Sequence, residues 1–268
     1  MRKEIGFLGC GKMAGAIVDA VIKRNIDEIN LFDVNADALK NFDKTARVYN
    51  SAQEMINASE YVFIGVKPQD AKTVLAGLDF TGKVVISMMA SVTIECIRAY
   101  TNYKTEKIVR IMPNLNARFQ EAYTGYCLDG LTADEVTDVE RILSYMGNFG
   151  LYAEEYMNAV TCVAGSGPAF VYKFIRGLRD SAMGCGISEN EALDMAISTV
   201  LGTCVSLRNT VNPDLTEMIN AVCSKGGTTI AGITTLDEKN FEEILKSGIN
   251  SAIKRAEEIS NERCNDIH

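Results

Sequence analysis

The chain has 268 residues, a net charge of -8, 47% apolar and 23% charged residues, and one histidine. The acidity leaves no basic surface for nucleic acid or for an anionic membrane, and no apolar run reaches the length of a membrane span. The histidine is the last residue, His268, which excludes a histidine acid, a Ser-His-Asp or Cys-His nucleophile and a histidine-based metal site.

The remaining composition fits a globular enzyme large enough for two domains. Its eight cysteines (10, 96, 127, 162, 185, 204, 223 and 264) contain no CxxC pair, so they read as reduced thiols, and no metal is expected. Met1-Arg2-Lys3 leads straight into an apolar strand pattern rather than a signal-peptide core, so a cytoplasmic location is expected.

In chain order, residues 3–8 and 29–33 read as strands, joined by a helix from Lys12 to about Arg24. Between the first strand and the helix lies Leu8-Gly9-Cys10-Gly11-Lys12-Met13-Ala14. A buried strand that ends in Gly-x-Gly and opens into a helix presents free amides and a positive dipole end to a pyrophosphate. Gly9 serves the tight turn, Gly11 admits the phosphates, and Ala14 fills the small-residue position where helix meets strand. Asp33 ends the second strand where an acidic residue accepts the ribose hydroxyls of adenosine, which repels a 2′-phosphate and leans the cofactor toward NADH over NADPH.

Asn35 is placed as a helix cap, 47–49 as a short strand, and Ser51-Ala-Gln-Glu54 as a capping box. Strands follow at 61–66, 83–87 and 107–112. They end in Gly65-Val66-Lys67-Pro68, in Met88-Met89-Ala90-Ser91 and in Pro113-Asn114. Strand-end loops of an open α/β sheet face its ligand crevice, so Leu8 to Met13, Asp33, Gly65 to Pro68, Met88 to Ala90 and Asn114 are the candidate cofactor residues.

Strands at 122–128 and 149–153, with a helix capped by Thr132 between them, complete the sheet near residue 155. Beyond it the pattern is wholly helical: Pro168 to about 185, Glu189 to 208, Thr216 to 222, Thr229 to about 236 and Phe241 to about 260, with Ser166, Ser188 and Asn240 as N-caps. The helix from Glu189 carries Leu193, Ala196, Ile197, Val200, Leu201, Cys204 and Val205, an apolar face too wide for one neighbour. The expected fold is α/β, an N-terminal Rossmann-type doubly wound sheet (1–155) followed by an all-helical dimerisation domain (156–268).

A second glycine-rich constellation, Ser224-Lys225-Gly226-Gly227-Thr228-Thr229-Ile230, opens a helix and reads either as capping alone or as a carboxylate cradle with a threonine hydroxyl at the reacting group. Together with Gly9-Cys-Gly-Lys-Met-Ala14, Val66-Lys-Pro68, Arg110-Ile-Met-Pro-Asn114 and Ala164-Gly-Ser-Gly-Pro-Ala169, it resembles the pyrroline-5-carboxylate reductases in motif order and spacing over essentially the whole chain.

The resemblance implies reduction of the cyclic imine 1-pyrroline-5-carboxylate to L-proline with NADH or NADPH, and a homodimer through the C-terminal helices, with a larger assembly left open. It makes Thr229 the catalytic hydrogen-bonding residue. Lys225, Gly226, Gly227, Thr228 and Thr229 become the substrate cradle. The chain departs from the family pattern at Lys225 (proline in the family), at Leu115-Asn116 (Thr-Pro) and at Ser91 (glycine). These departures keep two other readings open, a paralogue reducing another imine and a nucleotide-binding protein without turnover. A 3-hydroxyacid dehydrogenase shares the opening Gly-x-Gly-x-Met, but the lysine it would need four residues after Gly167 is Val171 here.

Overall fold

The structure, a computed structural model, describes residues 2–25, 27–42 and 44–265; His268 and the Cys264 side chain lie outside the described residues. Eight strands, β1 (Glu4–Leu8), β2 (Glu28–Phe32), β3 (Arg47–Val48), β4 (Tyr61–Ile64), β5 (Val84–Ser87), β6 (Lys107–Met112), β7 (Ala122–Asp129) and β8 (Gly147–Leu151), form one sheet in the order β3-β2-β1-β4-β5-β6-β7-β8. All pairings are parallel except β6 with β7, which are antiparallel.

Strand alternation builds a core on each face of this sheet. Ile5, Phe7, Tyr61, Phe63, Ile86 and Ile111 point to one side; Leu8, Val62, Ile64, Val85, Ile108 and Met112 point to the other. Strands buried on both faces read as unbroken apolar runs, which is why β4 is buried at all four positions. Phe7 and Phe63 stack across β1 and β4 with centroids 4.7 Å apart, a contact of about 1 kcal/mol beyond area burial.

The helices are α1 (Lys12–Arg24), α2 (Ala52–Asn57), α3 (Ala71–Leu75), α4 (Ile94–Tyr100), α5 (Ala133–Ser144), α6 (Met157–Val160), α7 (Gly167–Gly184), α8 (Glu189–Asn209), α9 (Leu215–Val222), α10 (Thr228–Glu238) and α11 (Phe241–Asn265). At Ser51 and Thr132 the expected caps form, with the Ser51 side chain accepting from the amide of Glu54 and Thr132 making a reciprocal capping box with Glu135, and Thr93 likewise accepts from the amide of Cys96. Ser188 takes the N-cap position of α8, but its hydroxyl bonds the Glu191 carboxylate rather than a backbone amide. Asn35 caps only a single 3-10 turn, Ala36–Ala38.

One local expectation is overturned. Ser166 is not an N-cap, because the chain reaches α7 already wound: α6 runs into a π-helical stretch, Thr161–Gly165, and Ser166 itself is right-handed helical. The Ser166 amide donates to the Thr161 carbonyl at 2.8 Å, the long-step bond of a π turn. Pro168 accounts for the break in regular winding, since it offers no amide to the Ala164 carbonyl four residues earlier. That carbonyl is met by the Asn114 side-chain amide at 2.9 Å.

The chain divides into two compact units, one comprising residues 1–166 with 252–268 and the other residues 167–251. In the second unit α7 and α8 pack together, with Phe174 and Phe241 in ring contact at 6.4 Å. Its apolar residues are largely uncovered: Leu193, Ile197, Leu201 and Val205 on α8 and Leu215, Ile219 and Val222 on α9 are exposed. An apolar area of this kind marks an association surface. No helix is long and apolar enough to cross a membrane among the described residues.

Candidate active site

The order of strands reverses between β1 and β4, and the carboxyl ends of these two strands form the topological switch point where such sheets bind ligands. Two glycines line it. Gly9 has φ +91°, the left-handed half of the map that favours glycine. Gly65 faces it so closely that a Cβ there would lie 2.6 Å from the Gly9 carbonyl oxygen and 3.0 Å from the Ala14 Cβ. The small side chain of Ala14, itself buried, is therefore what lets α1 and β4 approach. Gly65→Ala is expected to destabilise the first unit by about 1 to 3 kcal/mol through overpacking, measured by denaturant unfolding.

Gly11 differs in kind. It is the N-cap of α1 in extended conformation, and an added Cβ would meet nothing within 4 Å. The glycine serves open space at the start of a helix whose first amides have no partners in the helix itself, the geometry that receives a pyrophosphate. Lys12 is exposed and Met13 half-buried at this end. The residues present therefore fit a dinucleotide at its most demanding contact.

Asp33 is tied to this loop. Its Oδ2 accepts from the Cys10 amide at 2.6 Å and its Oδ1 from the Asn35 amide at 2.7 Å, so the carboxylate braces the glycine turn while each oxygen retains a further lone pair. Burial and the Asp33 charge push the Cys10 thiol up to about 12, which leaves it protonated and inert. The basic residue nearest Asp33 in sequence on this segment, Lys40, is held by Asp37 at 2.6 Å.

The other strand-end residues divide by where their side chains go. Val66 and Pro68 are half-buried and Lys67 exposed beside Gly65, and Met88 is half-buried with Ala90 exposed at the end of β5. Met89 turns its side chain into the second core, 1% exposed, and can offer only backbone to the crevice. Asn114 has both polar ends engaged, its amide on the Ala164 carbonyl and its Oδ1 accepting from the Asn116 amide at 2.9 Å, so its side chain ties β6 to the π turn. A proline at 116, which the resemblance expects, would remove the amide that Asn114 accepts here. Ser91, where the resemblance expects glycine, is buried with φ +58°.

In the second unit, Ser224-Lys225-Gly226-Gly227 is a tight turn closed by the Gly227 amide on the Ser224 carbonyl at 2.9 Å, with Gly226 at φ +69°. This is type II turn chemistry, which favours proline at the second position and glycine at the third. Lys225 occupies the proline position and is exposed. Gly227 is the N-cap of α10, and because its amide closes the turn it is not available to a ligand, contrary to the expectation for a carboxylate cradle. Thr228 and Thr229, exposed in the first turn of α10, retain the orphan amides and the dipole end.

Sequence reasoning missed the Arg110–Glu154 pair. Arg110, 2% exposed on β6, donates to Glu154 Oε1 at 2.6 Å, and the same oxygen accepts from the Ile94 amide at 2.8 Å. An arginine inside a run of β-branched residues was the available signal.

A mostly parallel sheet whose glycine-lined switch point opens onto a helix N-terminus, followed by an all-helical region, defines a Rossmann-type nicotinamide-dependent oxidoreductase. Residues 154–259 match the family described as pyrroline-5-carboxylate reductase dimerisation, and residues 4–91 match the family described as NADP oxidoreductase coenzyme F420-dependent. A pyrroline-5-carboxylate reductase of Aquifex aeolicus is 38% identical, with 97% of this chain and 98% of the relative covered. The crystal structure of 1-pyrroline-5-carboxylate reductase from Streptococcus pyogenes is 28% identical, with a TM-score of 0.86 and 95% and 98% of the two chains covered. The Plasmodium falciparum pyrroline carboxylate reductase, solved with NADP bound, shares the fold at a TM-score of 0.88 and 22% identity over 96% and 98% of the chains. The chain belongs to the pyrroline-5-carboxylate reductase family. The match over 154–259 supports a homodimer.

Proposed function

We propose that this protein is the NAD(P)H-dependent enzyme that reduces the cyclic imine 1-pyrroline-5-carboxylate to L-proline, the last step of proline biosynthesis. The observation that carries this is the 38% identity over 97% of the chain to a reductase of that name. When bound, the nicotinamide supplies a hydride whose electron pair forms the new C–H bond at the imine carbon, while the C=N π pair moves onto the protonated nitrogen and leaves a secondary amine. The chain's task is positioning. A protonated imine is already electrophilic, so no strong acid is required at nitrogen, in keeping with the lack of any histidine before position 268.

Thr229 is the residue we place at the imine nitrogen, and the amides of Gly226, Thr228 and Thr229 at the substrate carboxylate. The support for Thr228 and Thr229 is the helix N-terminus they form, where a negative charge is favoured, and Gly226 directly precedes its N-cap. Lys225 stands beside them as an added cation. In the first unit, Leu8 to Met13, Asp33, Gly65 to Pro68, Met88 and Ala90, and Met89 through its backbone, line the cofactor. We divide the function between a cofactor domain (1–155) and a substrate and dimerisation domain (156–268), dimeric through the C-terminal helices and located in the cytoplasm.

NADH is the preferred donor in this reading, because Asp33 puts a carboxylate directly after β2, where the ribose hydroxyls of adenosine are expected and a 2′-phosphate is repelled. Asp33→Ser is expected to shift the ratio of kcat/KM for NADH over NADPH toward NADPH by roughly 10-fold or more, from removal of like-charge repulsion. It should also weaken NADH itself, since the Cys10 amide loses its acceptor. The test is steady-state turnover of pyrroline-5-carboxylate with both cofactors in parallel. An unchanged ratio removes Asp33 from the argument; tight NADH binding without turnover favours the non-catalytic paralogue.

A further inference from the structure

The loop of residues 88–93 between β5 and α4 is held in a conformation that its own sequence does not favour. Ser91 sits at φ +58° and is 4% exposed, a left-handed backbone that a serine adopts only when its surroundings impose it. Three ties surround it. The Met89 amide donates to Ser87 Oγ at 3.3 Å, the Ile94 amide donates to Glu154 Oε1 at 2.8 Å, and Glu154 is itself fixed by the buried guanidinium of Arg110. The third falls on the residue directly before Ser91: Arg263 Nη1, on the last turns of α11, donates to the Ala90 carbonyl oxygen at 2.6 Å.

The seating of that helix gives the arginine a defined direction. Ala256 and Ser260 are 9% and 8% exposed, and Ser260 Oγ donates to Asn158 Oδ1 at 3.5 Å. Residues 256, 260 and 263 recur at helical spacing, so one face of α11 is set down on the first unit and delivers the guanidinium to Ala90. A charge-assisted hydrogen bond to a carbonyl is among the stronger neutral-acceptor bonds, and it restrains the peptide whose rotation would release Ser91.

We propose that Arg263 is a positioning residue for the cofactor: it holds the 88–93 loop in the shape that receives the dinucleotide, so that the last helix takes part in cofactor binding without touching the cofactor. This rests on the reading above that Met88 to Ala90 line the cofactor crevice.

The experiment compares the full-length wild type with Arg263→Ala and Arg263→Lys in two ways. NADH affinity is titrated by nicotinamide fluorescence, and amide hydrogen exchange of residues 88–94 is followed in the protein without cofactor. Arg263→Ala is expected to weaken NADH about 10-fold and to speed exchange of the loop amides about 10-fold, with Arg263→Lys recovering most of both. An Arg263→Ala protein with wild-type affinity and wild-type loop exchange overturns the proposal. Ala90→Phe separates this from the reading beneath it. If Ala90→Phe abolishes NADH binding while Arg263→Ala is silent, only the positioning role falls; if Ala90→Phe binds NADH normally, the loop does not line the cofactor and both fall.

Discussion

Gly11→Val is expected to abolish dinucleotide binding while leaving the fold intact. The two consequences separate at this position because an added Cβ meets no protein atom within 4 Å and the backbone there, φ -63° and ψ -173°, suits any residue. In the function proposed above, this space receives the pyrophosphate, which comes against the backbone amides at the start of α1. The expected loss is at least 100-fold in NADH affinity, about 2.8 kcal/mol of binding energy, with an unfolding midpoint close to wild type. Gly65→Ala is the counterpart, since there the added carbon strikes the Gly9 carbonyl and stability falls first. Wild-type NADH affinity in Gly11→Val would place the cofactor elsewhere.

Thr229→Ala is expected to lower kcat by roughly 10- to 1000-fold, the range for removing one transition-state hydrogen bond, with NADH affinity unchanged. Thr229 lies in the first turn of α10, exposed, and its side chain is not needed to cap the helix, because Gly227 holds the N-cap and its amide closes the preceding turn. Loss of the hydroxyl should therefore leave α10 in place, and circular dichroism and the unfolding midpoint serve as controls. Thr229→Ser should regain most of the rate. A fully active alanine variant would move the hydrogen bond at nitrogen to another group, with the Thr228 hydroxyl next in line.

Much of this protein is legible without coordinates. Alternating βα units, apolar runs at 61–66 and 107–112 and glycines at 9, 11 and 65 specify a parallel sheet with a phosphate-binding turn, because buried parallel strands require continuous apolar sequence and the turn requires residues without a Cβ. The helical patterns after residue 166 are equally local, and their boundaries agree to within a few residues. Short helices such as α3 and α4, of five and seven residues, are too brief to show a period and were not anticipated.

What the sequence by itself determined is the fold class, the family and the positions of the two glycine-rich turns, since each depends on residue types at short spacing. Only the tertiary structure decided how the side chains around those turns are spent. Asn114 bonds a carbonyl that Pro168, 54 positions later, deprives of its amide. Met89 serves the core, the Gly227 amide closes its own turn, Asp33 braces Cys10, and Arg263 reaches Ala90 across 173 residues of chain. Hydrogen bonds of this length in sequence leave no periodic trace, because the partner's position is fixed by the packing of whole elements and not by its neighbours along the chain.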